Sequence, residues 1–347
     1  MKPVTFSPVR HRGGFGAEQP ALRPGADLAA RPARRARRAG RALTLPAGLV
    51  VASLLAVALA GPPAAFAGAI SGPVAAPAPG GSVSWQPASR VVLGRPVVYT
   101  GSVGGAFVSW MDPELVRPVV VPGTGDPFGS PWGGQVDPSQ QKFLVAAFNG
   151  GFKAGDFSGA VLAFGSQYRG PVDGQGSFVV YDDGSFTVGV WPRDVDPNKL
   201  VVGLRQNLGM LVDGGAPTPA AGSPGNWGGS VAGVATMRGA VGVDAGGGLV
   251  WAGGRLSPQD LANALVAAGA VRGMQLDINP DWVNFNTYDV GADGVAHGNG
   301  VFGATGADRY LRPDSRDFIA VLVRGTVAKG AAAKLGATPL QAEVKLD

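Results

Sequence analysis

The feature that most constrains this fold is a series of short apolar runs that recur between turns rich in glycine, proline and aspartate. Runs of three to seven residues with many β-branched and aromatic side chains are typical of β-strands. Between two of them, Tyr181–Ser185 carries two aspartates and a glycine, which predicts a hairpin. We therefore expect an α+β fold that is rich in strands, with few helices and one large mixed sheet or two packed sheets. The runs are Val97–Thr100, Phe107–Trp110, Leu115–Val121, Phe143–Phe148, Val161–Phe164, Phe178–Tyr181, Phe186–Val190, Gly209–Val212, Ala240–Val243, Leu249–Ala252, Met274–Leu276 and Phe318–Val323.

One helix is signalled clearly. Ser257 is a good N-cap residue, Pro258 suits the first helical position, and Asp260 stands where a capping box has its acid. Apolar side chains then recur on one face, and Gly269 can end the helix. This pattern predicts a helix over residues 258–268.

The segments around this helix have the order of a crossover unit. A strand over 249–252 precedes the helix, and a strand over 271–276 follows it. The second strand ends where Asp277 begins, so it would deliver that carboxylate to one edge of a sheet.

The front of the chain has the features of an export signal. Residues 1–41 hold ten Lys or Arg and two acids, and residues 42–61 follow without a charge. Twenty apolar residues match the hydrocarbon core of a bilayer, and the one-sided arginines place the tail in the cytoplasm. Two interpretations stay open: an uncleaved single-span anchor, or a secretory signal cleaved after Ala65-Phe66-Ala67. Both export the rest of the chain.

The remaining segments differ in composition. Residues 62–89 are rich in Pro, Ala, Gly and Ser, which predicts a linker, residues 90–324 form the expected domain, and residues 325–347 an appendage. The formal net charge is +5, but after residue 41 there are 19 bases and 22 acids. We therefore expect no nucleic-acid partner, and a membrane partner only through residues 42–61 if that segment is uncleaved.

The composition excludes several kinds of chemistry. The chain has no cysteine, which rules out disulfide scaffolds, thiol nucleophiles and thiolate metal sites. Its two histidines are His11 in the basic tail and His297, so a centre of several histidines within one chain is excluded too. Of 24 acids only three are glutamate, so carboxylate chemistry here would be aspartate chemistry.

A glycine pair follows one apolar run. Asn149, Gly150 and Gly151 stand at its end, where paired glycines let a backbone approach a ligand and successive amides can bind an anion. An ordinary glycine turn is the alternative. Arg205 and Arg238 stand beside later runs, and a guanidinium suits phosphate or carboxylate, although a paired surface arginine explains each equally well.

A second polar stretch follows the run that ends at Leu276. If the stretch is extended, Asp277, Asn279 and Asp281 point the same way and could hold a divalent cation. We expect no cofactor and no metal ligand, and a divalent cation at these three residues is the alternative.

Aromatic residues and a histidine lie just beyond. Trp282, Phe285 and Tyr288 could stack on sugar faces, although core packing explains such a cluster as well. His297 is a candidate acid or base, and a turn histidine without a role is the alternative.

Five motifs occur in an order that is known from one family: Phe148–Phe152, Gly209–Gly214, Arg238–Asp244, Ser257–Ala262 and Gly269–Asp277. Together they resemble the phosphodiester glycosidase family, over about residues 142–324. The resemblance implies hydrolysis between a sugar's anomeric carbon and a phosphate oxygen, in a phosphorylated glycan or glycopolymer. The chain departs from the family at 277–281, Asp-Ile-Asn-Pro-Asp, where the family has Asp-Gly-Gly-Gly-Ser.

These arguments give two sets of candidates. A phosphodiester already has a stable leaving group, so one carboxylate and a set of phosphate ligands are adequate for its cleavage. The candidate catalytic residues are Asp277 and His297. The candidate substrate and phosphate contacts are Asn149, Gly150, Gly151, Arg205, Arg238, Asp244 and Trp282. The alternative function is a catalytically silent module that binds an anionic cell-envelope glycopolymer.

Overall fold

The computed structural model describes residues 77–127, 129–157, 159–223, 225–228 and 234–325. The basic tail, the apolar segment 42–61, most of the linker and residues 326–347 lie outside the described residues, so the expectations about them stay predictions. Within the described ranges, no helix is long and apolar enough to cross a membrane.

Strands dominate the described part of the chain, which confirms the expected fold class. Twenty strands accompany one α-helix, α1, at Pro258–Ala267. The strands are Gln86–Pro87 (β1), Val91–Val92 (β2), Arg95–Pro96 (β3), Val98–Val103 (β4), Ala106–Met111 (β5), Val116–Val121 (β6), Leu144–Asn149 (β7), Val161–Ala163 (β8), Ser166–Arg169 (β9), Gly176–Tyr181 (β10), Phe186–Val190 (β11), Val201–Gln206 (β12), Met210–Asp213 (β13), Ala216–Pro217 (β14), Thr236–Asp244 (β15), Leu249–Leu256 (β16), Ala270–Gln275 (β17), Phe285–Val290 (β18), Ala296–Gly298 (β19) and Phe318–Val323 (β20).

The strands form three large sheets and one small one. The orders are β1-β4-β5-β16-β15-β17-β13-β14, β11-β10-β12-β8-β9, and β19-β18-β7-β20-β6, with β2 and β3 as a separate hairpin. Each ladder between these strands is antiparallel, so the sheets are not mixed in their pairing. Because β16 and β17 flank β15 and both run against it, they are parallel to each other, and α1 joins them as the expected crossover.

The local signals in the sequence correspond to real elements. Ser257 caps α1 by accepting a hydrogen bond from the Asp260 amide at 3.1 Å, and Gly269 follows the helix with a positive φ of 91°. The predicted hairpin joins β10 to β11. The segment before Arg90 differs from its compositional prediction, because Ser82 donates from its amide to the carbonyl of Ala267, and β1 pairs with β4.

The main core lies between the inner faces of the three large sheets. Each sheet sends buried apolar side chains to it, for example Val241 from β15, Phe148 from β7 and Phe178 from β10. A second cluster packs α1 against the outer face of the eight-stranded sheet.

One strand from each large sheet ends at the same place. β7, β12 and β17 end at Asn149, Gln206 and Gln275. Beyond these ends, the Gly150 carbonyl accepts a hydrogen bond from the Asp277 amide at 3.1 Å. The Asn207 side chain donates to the carbonyls of Gln275 and Leu276, each at 3.0 Å. Two motifs that are far apart in sequence therefore meet at the junction of the sheets.

Candidate active site

Asp277 lies at the centre of this junction. Its Oδ1 accepts hydrogen bonds from the amides of Ile278 at 2.7 Å and Asn279 at 2.9 Å, and its Oδ2 accepts one from Arg316 Nη2 at 3.3 Å. The side chain is 9% exposed. Burial raises the pKa of Asp277 above its ordinary value, against the lowering effect of these hydrogen bonds and of the Arg316 charge. The result is a fixed carboxylate with one oxygen less firmly held than the other.

Arg316 joins the two motifs, and our sequence reasoning did not find it. Its Nη2 donates to the Gly151 carbonyl at 2.7 Å as well as to Asp277, and its Nη1 donates to Asp126 at 3.1 Å. The signal in the sequence is weak: Arg316 and Asp317 are charges directly before an apolar run. Their position follows only from the register of β20 against β7, which sets Phe318 opposite Asn149.

A buried ion pair lies beneath the glycine pair. Arg205 Nε donates to Asp317 Oδ2 at 2.6 Å, and both side chains are 1% exposed. Arg205 also donates to the carbonyls of Phe152 at 2.6 Å and Gln206 at 2.7 Å. A guanidinium held this way is committed to the protein, so the structure brings Arg205 to the junction as a support beneath the loop.

The two glycines are explained by this ion pair. A Cβ on Gly150 would lie 2.5 Å from Asp317 Cγ and 2.8 Å from its carbonyl oxygen, and a Cβ on Gly151 would lie 2.9 Å from Arg205 Cζ. Neither glycine has a positive φ. The Gly150 amide is already used, because it donates to the Asp317 carbonyl. Close packing, rather than a nest of free amides, therefore requires glycine here.

Arg238 is fully buried at the start of β15. It donates to the carbonyls of Trp227, Leu256 and Val234 at 2.9, 3.1 and 3.3 Å, and to the Gln275 side chain at 2.8 Å. Burial lowers the pKa of Arg238 to about 10. These contacts tie β15 to β16, β17 and the loop that carries Trp227.

Asn149 is 3% exposed and is held from both ends of its amide group. It donates to the Gly150 carbonyl at 3.0 Å and accepts from the Asn284 amide at 3.3 Å. Asn149 therefore fixes the path of the chain into the glycine pair.

The segment after Asp277 is a turn, not the extended stretch on which the cation alternative rested. Asn279 Oδ1 accepts from the Asp281 amide at 2.9 Å, and the Asn279 carbonyl accepts from the amides of Trp282 and Val283. Backbone amides thus occupy Asp277 Oδ1 and Asn279 Oδ1, while Asp277 Oδ2 faces Arg316. Among the described residues, no group of three or more His, Cys, Asp or Glu is arranged to hold a metal.

Trp282 lies at the edge of the junction, half-buried between cations. The guanidinium of Arg309 lies 4.6 Å from the ring centroid and that of Arg316 lies 5.8 Å from it. Arg309 is itself held by Asp314. The other two aromatic residues of the predicted cluster, Phe285 and Tyr288, are fully buried, so they pack in the core and are closed to a sugar.

Two predicted site residues lie elsewhere. Asp244 stands six residues along β15 from Arg238, roughly 20 Å away at strand rise, and accepts from the Trp110 indole at 2.7 Å. It also accepts from two glycine amides of the turn that follows it. His297 is exposed on β19 opposite Asp289, roughly 13 Å along β18 from Phe285. The structure brings neither side chain to Asp277.

No family model matches the sequence, and no curated protein matches it. Among solved structures, the catalytic domain of the zebrafish N-acetylglucosamine-1-phosphodiester alpha-N-acetylglucosaminidase, auto-inhibited by its pro-peptide, is 16% identical with a TM-score of 0.44, over 70% of this chain and 88% of that one. A hypothetical protein from Synechocystis is 14% identical with a TM-score of 0.39, over 71% and 68% of the two chains. A protein of Burkholderia pseudomallei K96243 that is described as exported is 12% identical with a TM-score of 0.36, over 65% of this chain and 74% of that one. These are distant likenesses of fold.

Proposed function

We propose that this domain is an exported hydrolase that cleaves a sugar-1-phosphodiester, between the anomeric carbon and the phosphate oxygen, in an envelope or extracellular glycopolymer. One observation carries the proposal. Arg316 Nη2 contacts both the carbonyl of Gly151 and the carboxylate of Asp277, so a cation, a carboxylate and the glycine loop occupy one junction. Cleavage of the bond between a sugar and a negatively charged group requires a ligand for the anion and a carboxylate that acts on the sugar.

Asp277 is the proposed base or nucleophile. Two backbone amides hold Oδ1, so the side chain is oriented before substrate binds. Oδ2 is left with the 3.3 Å contact to Arg316, which is longer than a usual charge-assisted hydrogen bond of about 2.7–2.9 Å. A raised pKa makes this carboxylate a better base than an ordinary aspartate once it is ionised.

Arg316 is the proposed phosphate ligand. Arg205 and Arg238 were the sequence-based candidates, but both donate to internal acceptors in fully buried positions. Arg316 is buried too, at 5% exposure, and also has internal acceptors, but its contact with Asp277 is long, and we propose that an incoming phosphate oxygen replaces it. Half-buried Trp282, next to Arg316, is the proposed contact for a sugar face.

One observation favours the alternative, a silent module that binds an anionic glycopolymer. The side chains of Asn149, Arg205 and Arg238 serve the fold, which leaves few polar groups to stabilise a transition state. Binding without turnover would need only Arg316 and half-buried Trp282 beside it.

Incubation of the purified full chain with a panel of sugar-1-phosphodiesters separates the two functions. The assay measures free reducing sugar, with and without divalent cations and a chelator. Hydrolysis that Asp277→Asn abolishes and Asp281→Asn leaves intact supports the enzyme, since Asp281 is an exposed carboxylate on the same turn. Saturable binding without release of sugar supports the module and contradicts the hydrolase.

A further inference from the structure

The hairpin of β2 and β3 presents an unusual tip. Val91 is 61% exposed and Leu93 is 73% exposed, the largest value among the exposed large apolar residues of the described chain. Leu93 and Gly94 have positive φ angles of 50° and 76°, as a two-residue turn with both central residues left-handed requires. Asn-Gly suits such a turn far better than Leu-Gly, because a leucine is strained in this conformation. The tip therefore holds an apolar side chain where both solvent and backbone disfavour it.

Two other large residues of the described chain share this left-handed conformation, and each is packed. Phe164, with φ of 52°, lies 5.0 Å from the Trp132 ring, and Leu208, with φ of 55°, packs against the cluster beneath α1. Internal contacts compensate the strain in both cases. Leu93 belongs to none of the apolar clusters among the described residues, so no apolar packing of this kind offsets its strain there.

We propose that this tip contacts the surface of a lipid bilayer. Two exposed apolar side chains are far too small for a stable protein interface, which buries about 800 Å² on each partner. They suit shallow insertion between lipid headgroups when another attachment holds the domain near the bilayer. The twenty uncharged residues 42–61 supply that attachment if they stay in the membrane, and no charge occurs between residue 41 and Arg90 at the base of the hairpin.

The length of the intervening chain makes this contact effective. Residues 62–76 separate the apolar segment from the first described residue. Fifteen residues reach at most about 50 Å even when fully extended, so the domain stays within that distance of the apolar segment and the local concentration of the tip at the bilayer would be high. A weak contact is then sufficient.

The same geometry orients the candidate active site. Arg90 Nη1 donates to the carbonyl of Lys142, which stands two residues before β7 begins. Asn149 ends β7, roughly 17 Å further along the strand, next to Asp277. With the tip in the bilayer, Asp277 would face away from the membrane. The contact itself does not depend on the proposed hydrolysis.

The absence of cysteine allows a direct test. The full chain, carrying Leu93→Cys or Val172→Cys, is labelled with a polarity-sensitive fluorophore and reconstituted into phosphatidylcholine–phosphatidylglycerol vesicles with and without nitroxide lipids. Val172 is the matched control, because it is also an exposed valine but lies away from the hairpin. Its amide donates to the side chain of Gln206, which ends β12 at the junction of the sheets. We expect a blue shift and nitroxide quenching at position 93 only.

Further variants keep the result interpretable. Val91→Cys should behave like Leu93→Cys, and Val91→Asn in the Leu93→Cys chain should reduce the quenching while the melting temperature stays unchanged. Equal signals at positions 93 and 172 would overturn the proposal. So would a blue shift that appears without vesicles and grows with protein concentration, because a second copy of the chain would then cover the tip.

Discussion

The glycine pair offers the sharpest test of how the junction is built. In Gly150→Ala the new Cβ would lie 2.5 Å from Asp317 Cγ and 2.8 Å from the Asp317 carbonyl oxygen, so Asp317 must move. Overpacking of this kind costs about 1–3 kcal/mol. Displacing Asp317 also weakens its ion pair with Arg205, and breaking a buried pair costs about 3–5 kcal/mol. We expect a loss of about 3 kcal/mol or more in the free energy of unfolding.

Urea unfolding, followed by tryptophan fluorescence, measures this loss. Gly155→Ala is the matched control, since Gly155 is exposed, has no positive φ, and a Cβ there meets nothing within 4 Å. The control should stay within about 0.5 kcal/mol of the parent chain. If Gly150→Ala unfolds within about 1 kcal/mol of Gly155→Ala, the ion pair does not explain the glycine.

Four further predictions follow from particular contacts. Burial raises the folded-state pKa of Asp277, so its protonated carboxyl favours folding below the unfolded pKa. That contribution is lost as the pH rises through the folded pKa. At pH 7, Asp277→Asn should therefore raise the melting temperature, whereas Asp281→Asn should not. The same raised pKa puts the acid limb of a kcat/KM pH profile above the ordinary aspartate value of about 3.9, and an acid limb at or below that value would contradict the assigned role. Arg316→Lys should lower kcat/KM for a phosphodiester substrate more than tenfold, because lysine cannot reproduce the forked contacts of arginine. A tenfold loss corresponds to about 1.4 kcal/mol of transition-state stabilisation. Unchanged kinetics would remove Arg316 from the site. Ser257→Ala should cost about 1 kcal/mol of unfolding free energy through the lost cap on α1, and a cost near zero in urea unfolding would show that the cap contributes nothing.

Much of the fold is predictable from local patterns. The runs between turns anticipate most of the longer strands, and Ser257 with Gly269 marks the ends of α1, because caps and periodicity act over a few residues. The antiparallel pairing is harder to predict. The crossover around α1 suggests a mixed sheet, but β15 inserts between the two parallel strands.

The site was predictable only in part. Asn149 and Asp277 both follow apolar runs, and strand ends from different sheets do meet, so their convergence was a reasonable inference. The partners of Arg205 could not be predicted, because Asp317 is 112 residues away and meets Arg205 only through the register of β20. Arg316 was missed for the same reason.

Hydrolysis in water enriched in ¹⁸O tests the central claim most directly. A sugar-1-phosphodiester is turned over by the full chain, and mass spectrometry locates the label in the products. Cleavage at the anomeric carbon, with Asp277 as base or nucleophile, puts ¹⁸O into the released sugar and none into the phosphate monoester. Label in the phosphate, or turnover that Asp277→Asn leaves intact, would contradict the proposed reaction.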